Sequence, residues 1–321
     1  MSINFDIDVL EEEIIQLGNP ILDTLLIDRT TRKNIIWATS DYESFGMGYG
    51  AKCHIQPYLI TGAHSKLICP RIAKAKEHQA SRTRDKAEVF TPSWVCNKQN
   101  NLVDEQWFES KDVFNSACGD RWTTTKRKIL FPDVKGKQWK DYVDARRMEI
   151  SCGEAPYLVS RYDTVTGAPI PLLDRIGLLD RKLRVVNENT YSKEEWYEWA
   201  LRALQSTYGY EYQGDNLLLA RENVFLTFIE NALYKNNEMP GDKILKAAAR
   251  IISWNVWQMD GLKYTVPFGK LEESYRQLNF LDILDGIDNF EEPISLQSKI
   301  MDWRADRSVI FASLIKGEKN G

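Results

Sequence analysis

Strand-like segments alternate with amphipathic, helix-like segments in the second half of the chain, and this alternation constrains the fold more than any other feature. The strand-like segments are 147–151, 208–212 and 309–312, and the helix-like segments are 94–102, 172–187, 193–206, 215–233 and 242–252. Strands that alternate with helices form parallel sheets with helices packed against them. We therefore expect an α/β fold with a mostly parallel central sheet.

The first 80 residues have a different pattern. A helix-like segment at 4–17 is followed by two short strand-like segments at 34–39 and 53–60, with glycine-rich turns between them. Short strands bounded by glycine turns are typical of small mixed structures. We predict a small α+β extension at residues 1–80 and a main domain at residues 81–321.

Charge is unevenly distributed along the chain. The net charge of −4 argues against a wholly basic nucleic-acid-binding protein. Residues 66–86 are a local exception, with seven basic residues against two acidic ones. A solvated helix face and a contact with DNA phosphates both fit such a run. In the second reading, the contacting residues are Lys74, Lys76, Arg82, Arg84 and Lys86.

Several simpler features bear on location and metal binding. The chain lacks an apolar run of the ~18 residues that a membrane span needs, and its N-terminus is acidic rather than basic and apolar. Its five cysteines are odd in number and scattered, as is typical of reduced thiols. We expect a cytoplasmic protein without a membrane partner. Cys53, His54, His64 and Cys69 could form a zinc set by residue type, but without a close cysteine pair we predict no metal site.

The segment Glu149-Ile-Ser-Cys-Gly-Glu-Ala-Pro-Tyr-Leu158 ends a predicted strand in a glycine turn. It resembles the first motif of DNA adenine methyltransferases from bacterial restriction-modification systems, an acidic residue followed by Pro-Ala-Cys-Gly-x-Gly-x-Phe-Leu. Glu149, Cys152, Gly153 and Leu158 match this motif, whereas Ala155 stands where the second glycine belongs. The resemblance implies a Rossmann-like methyltransferase fold, with the turn facing the methionine part of S-adenosylmethionine.

Three further segments follow the order of the same family. Phe90-Thr91-Pro92 resembles the segment that contacts the methionine end of the cofactor, although Thr-Pro also suits the start of a helix. Glu211, at the end of a predicted strand, takes the place of the acid that binds the ribose hydroxyls, or is simply an exposed strand-end glutamate. Asp260 takes the place of the acid that binds the adenine amino group. The resemblance spans about residues 82–265.

The family's catalytic motif, Asn/Asp-Pro-Pro-Tyr/Phe, does not occur in the sequence; its expected place after Phe311 reads Ala-Ser-Leu-Ile. In the family, that motif accepts hydrogen bonds from the adenine amine, and its aromatic ring stacks on the flipped base. Two functions stay open. One is a DNA-binding modification subunit of a restriction-modification or phage-defence system, completed by a partner chain. The other is a catalytically inactive module that binds DNA, a nucleotide or a protein with the same fold.

Overall fold

The computed structural model describes residues 7–8, 11–18, 20–74, 91–269 and 296–315. The α-helices are α1 (Glu11–Gln16), α2 (Ile21–Leu26), α3 (Pro57–Ile60), α4 (Ser93–Phe108), α5 (Trp139–Asp144), α6 (Leu178–Asn189), α7 (Lys193–Gln205), α8 (Gly214–Asn236), α9 (Asp242–Asn255) and α10 (Phe311–Ile315). The strands are β1 (Asn115–Cys118), β2 (Arg121–Thr124), β3 (Arg147–Glu149), β4 (Thr207–Glu211), β5 (Val256–Gln258), β6 (Lys299–Asp302) and β7 (Arg307–Ile310). Within this part of the chain, none of the helices combines the length and apolar character that crossing a membrane requires.

A parallel sheet with the strand order β3-β4-β5 forms the centre of the structure. Helices α6 and α7 connect β3 to β4, and helices α8 and α9 connect β4 to β5. Every residue of β4 is buried, because this strand lies between its two neighbours and helices pack on the sheet. The expected α/β architecture with a parallel sheet and covering helices is therefore confirmed.

Helix α6 begins where the chain folds tightly against the segment after β3. The Asp180 carboxylate accepts hydrogen bonds from the backbone N–H of Gly177 (3.0 Å) and of Ser160 (2.8 Å). Gly177 has no room for a side chain, since a Cβ there would lie 2.3 Å from the Leu158 carbonyl oxygen. The predicted helix at 172–187 consequently starts only at Leu178, after a 3-10 turn at Leu172–Asp174.

The N-terminal segment contacts the edge strand β5 through the side chain of Gln258. The Gln258 amide accepts a hydrogen bond from Ile36 N–H (2.9 Å) and donates one to the Ile36 carbonyl (2.8 Å). Helix α2 packs against α9, and residues of both belong to one hydrophobic core with those of α6 to α8. The predicted boundary near residue 80 lies outside the described residues, so the division at 1–80 and 81–321 stays a prediction.

Two sequence-based assignments of secondary structure were wrong, and a third was right only in part. The segments 34–39 and 53–60 form only isolated bridges, such as Ile36 with His54, and the backbone N–H and carbonyl of Ile36 bond to the Gln258 side chain rather than to a strand. Pro57 instead starts helix α3, as its fixed φ favours. The last strand ends at Ile310, and Phe311 begins α10. The antiparallel hairpins β1–β2 and β6–β7 were not expected.

Two buried carboxylates lie where α1 meets α8. Glu11 and Glu222 are 1% and 3% exposed, and neither Glu11 oxygen has a hydrogen-bond partner within the described structure. Burial raises the pKa of Glu11 to about 9 and that of Glu222 well above its ordinary value, and each is raised further by neighbouring acids. Both groups therefore favour the protonated form in the folded chain.

This burial predicts a stability that falls with increasing pH. The folded protein keeps a proton on Glu11 that the unfolded chain releases near 4.5, so the contribution is full below 4.5 and is lost as the pH rises through about 9. One such proton changes the free energy of unfolding by about 1.4 kcal/mol per pH unit. We expect Glu11→Gln to flatten urea-unfolding stability measured between about pH 5 and 8. The exposed-site control Glu194→Gln should keep the wild-type slope, and an unchanged slope in Glu11→Gln would contradict the prediction.

Candidate functional site

The carboxyl ends of β3, β4 and β5 bring the sequence-predicted cofactor residues together, and we call this region the carboxyl edge. It comprises Glu149, Cys152, Gly153, Glu211 and Asp260. The Gly153 N–H donates a hydrogen bond of 2.8 Å to one Glu211 oxygen, although the two residues are 58 positions apart. The other Glu211 oxygen accepts from the backbone N–H of Tyr212 (2.9 Å) and of Gln213 (3.1 Å). The turn after β3 is thus fastened to the end of β4.

Glu149 supports the same turn from the sheet side. Its carboxylate is buried and accepts hydrogen bonds from the backbone N–H of Tyr157 (3.3 Å) and of Leu158 (3.1 Å). Burial raises the pKa of Glu149 well above its ordinary value, and Glu211 adds to that shift. Glu149 therefore closes the turn rather than pointing to solvent.

Cys152 extends the parallel pairing of β3 beyond its last residue. Its N–H donates to the Tyr210 carbonyl (2.8 Å), and its side chain is buried. Burial raises the pKa of the Cys152 thiol well above its ordinary value, and the neighbouring carboxylates Glu149 and Glu211 raise it further. The thiol is held in its protonated form, so Cys152 has the character of a packing residue and not of a nucleophile.

Two residues of the turn have a left-handed backbone. Gly153 has φ +52°, and Ala155, at the position of the missing second glycine, has φ +65° while fully buried. The left-handed conformation costs an alanine about 1–2 kcal/mol because its Cβ approaches the following carbonyl. The Ala155 N–H donates to the Cys152 carbonyl (2.7 Å). An alanine therefore occupies a position whose backbone conformation favours glycine, and the next α-helix begins only at Leu178.

Thr91 and Pro92 lie against this turn, and Phe90 is outside the described residues. The Tyr157 side chain hydrogen-bonds to Thr91 and Cys96. Pro92 occupies the N-cap position of α4, and the following Ser93 N–H is capped by the Asp163 carboxylate at 2.7 Å. The expected Thr-Pro helix start is therefore shifted by one residue, since Asp163 rather than Thr91 caps the helix.

Asp260 follows β5 at the same edge of the sheet. Its carboxylate accepts from the N–H groups of Leu262 (3.0 Å) and Lys263 (3.2 Å), which closes a turn. Its own N–H donates to the Thr265 carbonyl (2.7 Å). Asp260 also raises the pKa of Tyr212, to which burial contributes most, so the two side chains are close.

Two aromatic residues at the carboxyl edge escaped the sequence analysis. The rings of Tyr212 and Phe268 lie 6.2 Å apart at an interplanar angle of 68°. Phe268 is 46% exposed, and the Lys52 ammonium lies 5.5 Å from its ring centroid. Tyr212 could have been identified from the sequence because it directly follows Glu211. No local sequence pattern indicates that Phe268 lies beside Tyr212.

Of the predicted nucleic-acid residues, the structure describes Lys74 alone; Lys76, Arg82, Arg84 and Lys86 lie outside the described residues. The Lys74 side chain is 6% exposed and lies 3.2 Å from the buried Asp215 carboxylate, which also accepts from the Tyr42 hydroxyl (2.7 Å). A phosphate contact of Lys74 would therefore have to compete with Asp215. The nucleic-acid role of this segment stays a prediction.

The considered zinc residues do not form a cluster. His54 Nδ1 lies 2.6 Å from the Asn34 carbonyl, and the His64 ring packs edge-on against Tyr49. Over the described ranges, no three histidine, cysteine or acidic side chains are arranged to hold a metal ion.

The carboxyl edge can accept hydrogen bonds from a bound molecule. Two Glu211 oxygens offer about four acceptor positions, of which backbone N–H groups use three. One position remains for a ligand hydroxyl, and no lysine or arginine pairs with Glu211 in the described part of the chain. The carboxyl edge thus offers one acceptor position beside the side chain of Tyr212.

No protein-family model, no curated protein and no solved structure matches the chain.

Proposed function

We propose that the chain is a DNA adenine methyltransferase-like modification subunit that binds S-adenosylmethionine at its carboxyl edge. One observation carries the proposal: the Gly153 N–H and the Glu211 carboxylate meet at 2.8 Å. Ligands of open α/β sheets bind outside the carboxyl ends of the strands, beside a glycine turn. This hydrogen bond connects the turn after β3 with the end of β4, the two segments that the family resemblance assigns to the same cofactor site.

Three residues of the carboxyl edge and three neighbours have a part in this proposal. The free acceptor position of Glu211 takes a ribose hydroxyl, and Asp260 takes the adenine amino group. Tyr212 and Phe268 offer faces for the purine ring, as aromatic side chains commonly do. The turn at Gly153 lies against the methionine part, and Thr91 lies beyond it. When bound, S-adenosylmethionine supplies an electrophilic methyl group.

The chain does not hold the whole machinery for methyl transfer to DNA. An adenine amine becomes a useful nucleophile when nearby carbonyl oxygens accept its N–H bonds. The Asn/Asp-Pro-Pro motif that provides them does not occur in the sequence. We infer that a partner chain provides these acceptors and target recognition, within a restriction-modification or phage-defence system in the cytoplasm.

Glu211→Gln tests the cofactor assignment. The amide nitrogen would face a backbone N–H in place of an acceptor oxygen, so we expect the dissociation constant for S-adenosylmethionine to rise on the order of tenfold or more. Equilibrium dialysis with labelled cofactor measures this change, and thermal unfolding shows whether each variant is folded. The exposed control Glu198→Gln should bind like wild type. If folded Glu211→Gln binds S-adenosylmethionine as tightly as wild type, Glu211 does not contact the cofactor.

The alternative is an inactive module that uses this fold only to bind DNA, a nucleotide or a protein. It is favoured by the three backbone donors that already occupy Glu211, since they leave little acceptor capacity for a pair of ribose hydroxyls. A folded wild-type chain that binds DNA but not S-adenosylmethionine would favour this second function.

A further inference from the structure

The most basic part of the described chain is not the predicted segment at 66–86. Residues 121–140 contain seven basic residues and one acidic residue, whereas the whole chain has a net charge of −4. Within this stretch, Lys126, Arg127 and Lys128 are consecutive and exposed, and we call them the basic loop. Such a concentration of charge in an acidic chain calls for a physical reason.

Within the described ranges, the cations of the basic loop have no acidic partner. Neither these three residues nor the exposed Arg121 forms an ion pair with any residue that the structure describes. Other exposed lysines do, including Lys111 with Glu105 and Lys193 with Glu238. Four unpaired cations close together repel one another, and a bound anion removes that repulsion.

The backbone of the basic loop is held in place although it has no regular secondary structure. On helix α6, the Arg184 guanidinium donates to the carbonyls of Thr125 and Arg127, and the Glu188 carboxylate accepts from the Ile129 N–H at 2.8 Å. Arg184 and Glu188 are themselves paired at 2.8 Å. This clamp uses only backbone atoms of the loop and none of its three charged side chains.

The basic loop borders an open groove with a volume of about 1240 Å³. Besides Arg121, Lys126 and Lys128, the groove is lined by Trp122 and by the apolar segment 169–173, in which Leu173 is 55% exposed. Four acidic residues also line it, of which Glu188 pairs with Arg184, while Asp174 and Asp180 accept hydrogen bonds from Thr124 and from the backbone of Ser160; the fourth is Asp120. The Trp122 indole N–H donates to the Asp174 carbonyl (2.9 Å), which fixes the ring at the groove. Cations beside fixed apolar surfaces combine the two features that bind phosphates and bases.

The groove and the carboxyl edge share one structural element. The chain from Arg161 to Ile170 turns back on itself, with Ile170 N–H donating to the Arg161 carbonyl (2.9 Å). On one side, its Tyr162 hydroxyl bonds to Glu154 in the glycine turn (2.6 Å). On the other, Pro169 and Ile170 line the groove. The segment 161–170 therefore connects the groove with the glycine turn after β3.

We propose that this groove binds a DNA strand, with backbone phosphates on Arg121 and the basic loop and bases against Trp122 and Leu173. The proposal rests on the proposed function only for the choice of DNA as the polymer. An acidic protein would satisfy the cations equally, but it would have less use for the fixed indole ring and the apolar wall beside them.

The test uses the full chain and a labelled DNA strand, alone and as a duplex, in fluorescence anisotropy over a salt series. In the variant Lys126→Ala/Arg127→Ala/Lys128→Ala, we expect binding on the order of tenfold weaker or more, and a salt slope lower by about 0.9 for each duplex phosphate that the variant no longer neutralises. The control Lys193→Ala/Lys243→Ala/Lys246→Ala removes the same charge from exposed lysines elsewhere and should leave binding near the wild-type value.

The remaining outcomes separate this proposal from the proposed function. Circular dichroism checks that the variant folds, and calorimetry with S-adenosylmethionine should give the same affinity in variant and wild type. Equal decreases in DNA affinity in the two triple variants would show a general charge effect and overturn the proposal. Competition by polyglutamate as strong as by unlabelled DNA would indicate an acidic-protein partner and overturn it too. Cofactor binding without DNA binding would overturn this inference alone.

Discussion

Arg221→Met is expected to destabilise the folded chain by about 3–5 kcal/mol, among the largest effects that one substitution produces. The Arg221 side chain is fully buried in α8. Its guanidinium donates to the carbonyls of Val256 (2.7 Å), Ile27 (3.0 Å), Ser253 (3.3 Å) and Leu25. Methionine has a similar length but leaves these acceptors buried and unsatisfied.

Urea unfolding measures this decrease in stability directly. Because Arg221 joins the ends of α2 and α9 to the start of β5, its removal should loosen the N-terminal segment from the sheet. Arg221→Lys keeps one charged donor group and should lose less stability. The exposed Arg250→Met is the matched control and should stay within about 0.5 kcal/mol of wild type. A decrease below about 1 kcal/mol in Arg221→Met would show that water replaces the guanidinium without cost.

The purified chain alone is expected to transfer essentially no methyl groups to DNA. Loss of one preorganised hydrogen-bonding group at a reacting centre typically costs about 10²–10³ in rate, and the sequence has none of the Asn/Asp-Pro-Pro acceptors. Transfer of labelled methyl groups from S-adenosylmethionine to mixed-sequence DNA measures the rate. Robust incorporation that Asp260→Ala abolishes would show that other residues of this chain supply the acceptors.

The sequence was most informative where periodicity and motif order agreed. The strand expected at 208–212 is observed at Thr207–Glu211, and the helix expected at 193–206 at Lys193–Gln205. Parallel strands joined by helices align their carboxyl ends, so the meeting of Gly153 and Glu211 followed from the expected topology. Ala155, which stands where the resembled motif has its second glycine, adopts the left-handed backbone that favours glycine.

The features that escaped prediction depend on long-range interactions. A side chain, Gln258, substitutes for a strand beside Ile36, and no local pattern reveals such pairing. Lys74 looked like a surface cation, but it meets Asp215, 141 positions further along the chain. The backbone of the basic loop is held by Arg184 and Glu188, which lie on helix α6, 57 to 59 positions further along the chain. In each case a polar interaction outweighs the local propensity on which sequence analysis depends.

Calorimetric titration of the wild-type chain with S-adenosylmethionine decides whether the carboxyl edge binds this cofactor. We expect saturable binding at one site per chain, with a matching increase in thermal stability as the cofactor concentration exceeds its dissociation constant. A chain that is folded by circular dichroism but gives neither heat nor stabilisation at millimolar cofactor would contradict the claim. The carboxyl edge would then be a structural junction between strand ends, without a cofactor site.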